Sequence, residues 1–80
     1  MQVTFYGKFV DLIERQVSFD LESPCTASDL RSRLAALYPQ AGPALASSRV
    51  RICVDDQIVP DGFVIDPQKR VEVLAPVSGG

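Results

Sequence analysis

Two kinds of residue in this 80-residue chain could do chemistry. They are the cysteines Cys25 and Cys53, and the glycine pair that closes Val71-Glu72-Val73-Leu74-Ala75-Pro76-Val77-Ser78-Gly79-Gly80. Histidine is absent, which removes the usual general base and the usual activator of a nucleophile. A self-contained hydrolase is therefore not expected. Two thiols without histidine do not complete a four-ligand zinc site. Cys53 has Arg51 beside it but no further cationic neighbour in sequence to lower its pKa, so it reads as unreactive. Cys25 precedes a helix N-terminus that could activate it slightly, although a surface loop cysteine is the plainer reading.

The glycine pair offers more. Glycine carries the largest backbone entropy cost and no side chain to bury, so Gly79-Gly80 contributes nothing to folding. It supplies instead a carboxylate on a thin stalk, with no Cβ near the reacting carbon, suited to insertion into another protein's narrow active site. A ragged or engineered end is the plain alternative, but Pro76-Val77 makes this stretch stiffer than a linker needs to be. Ala75 to Gly80 spans about 20 Å when extended, enough to reach a buried site while a folded body stays outside.

The composition bounds what that body is. With 46% hydrophobic and 22% charged residues the chain reads as a folded domain, and 80 residues make a single small one. The net charge is −2 and the eight Lys and Arg residues are scattered, so no basic patch for nucleic acid is expected. No apolar run approaches the ~20 residues of a membrane span, and Met1-Gln2-Val3 opens a strand pattern instead of a signal peptide. A cytoplasmic protein without a disulfide is the expectation.

Hydrophobic periodicity gives the elements. Gln2–Tyr6 alternates as a strand and Gly7-Lys8 breaks it. Phe9–Ile13 suits a helical turn, and Val17–Leu21 alternates as a second strand ended by Ser23-Pro24. Thr26-Ala27-Ser28-Asp29 reads as an N-cap with an acidic residue three positions on. Leu30, Leu34 and Leu37 then form a helical stripe, with Arg31, Ser32 and Arg33 outward on a solvated face, from about Ala27 to Tyr38. Gly42–Ala46 suits a further short turn. Val50–Val54, a turn at Asp55-Asp56, a return strand Gln57–Val59, a turn at Ile65–Gln68 and a final strand Val71–Leu74 complete the chain.

Two strands, a capped helix and more strands make an α+β layout. The first and last strands are expected side by side in the centre of a mixed sheet of about four to five strands packed on one main helix. That is a β-grasp, or ubiquitin-like, domain over residues 1–74, with residues 75–80 as a flexible tail. If Val3, Phe5, Ile52, Val71 and Val73 face the helix, alternation turns Thr4, Tyr6, Arg51, Cys53, Glu72 and Leu74 outward. Tyr6, Cys53 and Leu74 would then form a small exposed apolar patch near the tail root, suited to a partner. Ordinary surface apolarity is the alternative.

With this layout and this close, the chain resembles the ubiquitin-like sulfur carriers, and most nearly the small subunit of molybdopterin synthase, the MoaD family. The closing segment resembles that family's apolar strand followed by Pro-Pro-Val-small-Gly-Gly. Cys53-Val54-Asp55-Asp56-Gln57 resembles its Ala-Val-Asn turn, and Gly7–Leu12 falls where it has a short helix. Ala75 stands in place of the first proline, Asp55 of the asparagine, and Lys69-Arg70 of an acidic pair. The thiamin-pathway carriers are shorter, usually without Pro-Val before the end, and resemble the chain less.

The resemblance implies a route. An E1-like adenylating enzyme spends ATP to activate the Gly80 carboxylate, because neither oxygen of a free carboxylate leaves. A sulfur donor then attacks and leaves a C-terminal thiocarboxylate. In complex with the large catalytic subunit of molybdopterin synthase, Gly80 delivers sulfur to a cyclic pyranopterin to form the dithiolene of molybdenum cofactor biosynthesis. Pro76, Val77, Ser78 and Gly79 carry the reagent. The chain itself binds no cofactor or metal and is a cosubstrate more than an enzyme. Carriage of sulfur to thiamin, a tRNA base or cysteine, a ubiquitin-like protein modifier, and a plain interaction module are the competing readings.

Overall fold

In the computed structural model, which describes residues 1–7, 9, 13–18 and 20–75, the first and last strands lie side by side. β1 (Gln2–Tyr6) pairs in parallel with β7 (Arg70–Leu74), in the register Val3 to Val71 and Phe5 to Val73. Antiparallel neighbours extend the pair: β2 (Gln16–Ser18) on β1, and β4 (Arg51–Val54) on β7, with β5 (Gln57–Val59) beyond it. The order β2-β1-β7-β4-β5 is the mixed β-grasp sheet expected from the sequence. A second sheet of two short strands, β3 (Cys25–Thr26) and β6 (Val64–Ile65), was not foreseen.

The main helix α1 covers Ala27–Leu37. Thr26 caps it as expected, its hydroxyl accepting from the Asp29 N–H at 3.0 Å. The carbonyls of Phe63 and Asp61 accept from the next free donors, Ala27 and Ser28. Leu30 and Leu34 are fully buried against Val3, Phe5, Ile52, Val71 and Val73 in one core, each contributing about 2 kcal/mol by burial. Leu37 departs from the expected stripe and is 55% exposed. Its azimuth is within about 20° of that of the buried Leu30, so the exposure reflects its place in the last turn of α1, beyond the sheet, while the next residue, Tyr38, packs against the core. The Tyr38 ring accordingly meets Phe5 edge-on at 6.5 Å.

A 3-10 turn over Pro39–Ala41 and the short helix α2 (Gly42–Leu45) lead back to β4. The β4–β5 hairpin turns through Asp55 and Asp56 at φ 52° and 64°. Positive φ at both central residues is the type I′ geometry that matches strand twist, and Asp tolerates it better than most residues. Within the region read as a helical turn, Phe9 is helical and buried, and the Ile13 N–H donates to its carbonyl at 2.7 Å. Lys8 and positions 10–12 lie outside the described residues, as does Phe19 of the expected second strand. Among the described residues no helix is long and apolar enough to cross a membrane.

Candidate functional site

The site is the end of β7 and what surrounds it. Leu74 pairs with Tyr6 on one side and Arg51 on the other, so these three side chains form one row across the outer face. Tyr6 is 45% exposed and Leu74 half-buried. Alternation thus assigned both of them correctly to the face away from the helix. The tail residues Pro76, Val77, Ser78, Gly79 and Gly80 lie outside the described residues.

Cys53 corrects the expectation of exposure. It occupies the next row, between Glu72 of β7 and Ile58 of β5, and stands outside the helix-side core, as strand parity requires. Yet it is only 8% exposed. A small side chain on an inner strand is covered by longer neighbours on both sides, and alternation along a single strand does not show this. The residue that the sequence reading missed is Ile58, 60% exposed beside Cys53. Its signal was present: a two-residue turn at Asp55-Asp56 fixes Cys53 opposite Ile58. On this face, among the described residues, Tyr6 and Ile58 are exposed and Leu74 is half-buried beside Tyr6.

The cysteines are protected. Burial pushes the Cys53 thiol up, and the nearby charges of Glu72 and Asp56 push it further. Burial likewise raises Cys25, with Arg33 partly opposing and Asp29 adding. Cys25 is buried in β3 opposite Ile65, not a surface loop cysteine, and its thiol is less acidic than usual, not more. Both groups hold their protons more tightly when folded, so their contribution to stability is complete below the ordinary thiol pKa and is lost as the pH climbs above it. Alkylation of the native chain at neutral pH should run roughly tenfold or more slower than after unfolding, since each thiol must first be exposed. Rapid labelling of either cysteine in the folded chain would contradict this burial.

Arg31 also departs from expectation. Its side chain is 15% exposed rather than solvated. The guanidinium donates to the carbonyls of Leu45 at 2.9 Å, Ser47 at 3.1 Å and Val50, and pairs with Asp61 at 3.2 Å. One helix residue thereby ties α1 to the chain that leads into β4.

At the tail root, Gly7 follows β1 with φ +73°, and a Cβ built there would stand 3.0 Å from the Cβ of Ala75. Ala75, the last described residue, packs partly buried against the core. Gly7 and Ala75 thus lie in close contact where the described chain ends.

Comparison with known proteins agrees with this geometry. The profile of the ThiS family matches residues 3–80. The chain belongs to the ThiS family. It is thus a ubiquitin-like, β-grasp member of the sulfur carriers. Among solved structures it is similar to SAMP1 from Haloferax volcanii, with a TM-score of 0.81 at 16% identity, covering 99% of this chain and 97% of that one. A second structure, of the small archaeal modifier protein 1 of the same organism, gives a TM-score of 0.79 at 13% identity over 95% of each chain. The solution structure of the Haloferax volcanii HVO 2177 protein gives 0.79 at 21% identity, covering 99% of this chain and 84% of that one. At these identities the likeness is one of fold.

Proposed function

We propose that this ThiS-family chain is the sulfur-carrier subunit of a molybdopterin synthase. In this reading Gly80 is adenylated by an E1-like enzyme that spends ATP, then thiocarboxylated, and the chain itself binds no cofactor. The thiocarboxylate delivers its sulfur to a cyclic pyranopterin held by the large catalytic subunit, all in the cytoplasm. The observation that carries the carrier reading is the family match running through residue 80, on a body whose central strand leads directly into those residues. The Pro76-Val77-Ser78-Gly79-Gly80 close, with its resemblance to the small synthase subunit, favours molybdopterin over other sulfur products. Mixing the thiocarboxylated chain with that large subunit and the pterin precursor should yield the dithiolene product. Product formed only with enzymes of another sulfur pathway would redirect the reading.

The row of Tyr6, Leu74 and Arg51, with Ile58 beyond, adjoins the tail root and is where such a partner would press. Leu74→Asp should weaken association with the large subunit by about 3 kcal/mol, more than a hundredfold in Kd, through an unpaired desolvated charge. Circular dichroism should be unchanged, since Leu74 lies outside the core cluster. Ile58→Asp, at a position 60% exposed, tests the same face without risk to the core. Unchanged affinity in both variants would place recognition in the tail and its flanking loops.

A second reading is favoured by one observation. One of the similar folds is a small archaeal modifier protein by name. As a modifier, Gly80 would form isopeptide bonds with lysines of other proteins. Higher-mass conjugates bearing a Gly-Gly remnant, in place of thiocarboxylate, would support it.

A further inference from the structure

We infer that the partner docking on the outer sheet face presents a carboxylate to Arg51, and that this ion pair selects the partner. The inference rests on the carrier reading, in which a large synthase subunit covers this face, and adds the chemistry that subunit must carry.

Strand parity and register lay the outer face out in rows. Nearest the end of β7 stand Tyr6, Leu74 and Arg51. The next row is Gln16, Thr4, Glu72, Cys53 and Ile58. The last is Ser18, Gln2 and Arg70. Successive rows are two residues apart along each strand, about 7 Å. Three of these positions are charged, Arg51, Glu72 and Arg70, with neutral side chains between them.

Arg51 is exposed. Among the described residues the ion pairs are Arg31 with Asp61 and Lys69 with Asp55, and Arg51 takes part in neither. Glu72 lies on the diagonal between the Arg51–Leu74 and Cys53–Glu72 pairs, about 7–8 Å away and within reach of a long side chain. The two nonetheless form no ion pair. The Glu72 charge bears instead on the Cys53 thiol. Arg51 thus keeps its planar fork of donors open beside the half-buried Leu74.

That arrangement restricts what can sit on it. A purely apolar surface would cover Tyr6 and Leu74 but strip water from Arg51, and a desolvated unpaired charge is heavily penalised. A basic surface would be repelled. A carboxylate satisfies the guanidinium through two parallel hydrogen bonds, and the apolar contact alongside excludes water from them. Arginine in such a setting is a frequent binding hot spot. The fitting partner therefore carries an apolar patch over Tyr6 and Leu74 and an Asp or Glu side chain over Arg51. Surfaces without the acid are rejected.

The test uses the full chain and the large synthase subunit. Arg51→Glu should raise Kd at least about thirtyfold, with the Tm nearly unchanged because the position is exposed. Arg70→Glu makes the same change in net charge on the same face, about 13 Å along β7 from Leu74, and should stay within about threefold. Arg51→Lys puts an amine where the guanidinium stood. A carbodiimide activates a carboxylate toward attack by an amine, the amide bond forming as the urea leaves. In the complex, this variant should become linked through position 51 to an Asp or Glu of the large subunit, read by mass spectrometry after digestion. Arg70→Lys should give no such link.

Binding of Arg51→Glu within threefold of the unmodified chain would overturn the inference. So would an equal loss in Arg70→Glu, which would reduce the effect to net charge, or a link from position 51 only to Glu72 of the same chain. An unmodified chain that does not bind the large subunit at all would overturn the molybdopterin reading, and this inference with it.

Discussion

Removing Gly79 and Gly80 is expected to abolish thiocarboxylate formation while shifting the Tm by no more than about 1 °C. The truncated chain still ends in a carboxylate, now on Ser78, so the chemistry is available in principle. It is displaced by two residues, about 7 Å along an extended backbone. A misplacement of 1 Å can cost a hundredfold, and the loss here should exceed about a thousandfold. Little stability should be lost, because the core formed by the described residues already takes in the whole of the last strand's inner face. Val71 and Val73 of the last strand are fully buried, and the core cluster draws on Ala75 at its edge. Enzymatic assay with mass detection and a melting curve on the same sample read both effects. A large fall in Tm would show that the tail is packed structure and not a reagent arm.

Replacing Arg31 by Ala should produce the largest loss of stability among the polar residues, about 3 kcal/mol, or roughly 10–20 °C in Tm for a domain of this size. The Asp61 pair contributes little of it, because that carboxylate is 69% exposed and screened by water. The loss comes from the carbonyls of Leu45, Ser47 and Val50, which are left without their charged donor in a part-buried setting. Arg31→Lys keeps the charge but loses the planar fork that reaches several acceptors at once, and should recover less than half. Urea denaturation reads the difference. A cost for Arg31→Ala near that of an ordinary exposed residue, within about 0.5 kcal/mol, would show that the loop before β4 is held by its own apolar contacts.

The contrast between Arg31 and Leu30 shows what the sequence could reveal. Leu30 and Leu34 are legible as core because helical spacing and apolarity point the same way. Thr26 is legible as a cap and Asp55-Asp56 as a turn because those signals are local. The placement of β1 beside β7 followed from the overall order of elements, and the structure adds that they run in parallel. Arg31 was misread because its partners lie 14 to 19 residues away in the chain, and nothing local marks a charged side chain that will be enclosed. Leu37 was misread because a stripe continued past the point where the helix still faces the sheet. Cys53 was on the expected face, but its burial depends on Glu72 and Ile58 from neighbouring strands. At the candidate site, alternation placed Tyr6 and Leu74. The fit of Gly7 against Ala75, between residues distant in sequence, emerged only with the fold.

The most direct test of the carrier mechanism is the intact mass of the chain after incubation with an E1-like enzyme, ATP and a sulfur donor, followed by localisation of the change within the sequence. The expected result is a gain equal to the exchange of one oxygen for one sulfur, located at Gly80, with Cys25 and Cys53 unmodified. Sulfur found on Cys25 or Cys53 with Gly80 unchanged would contradict it.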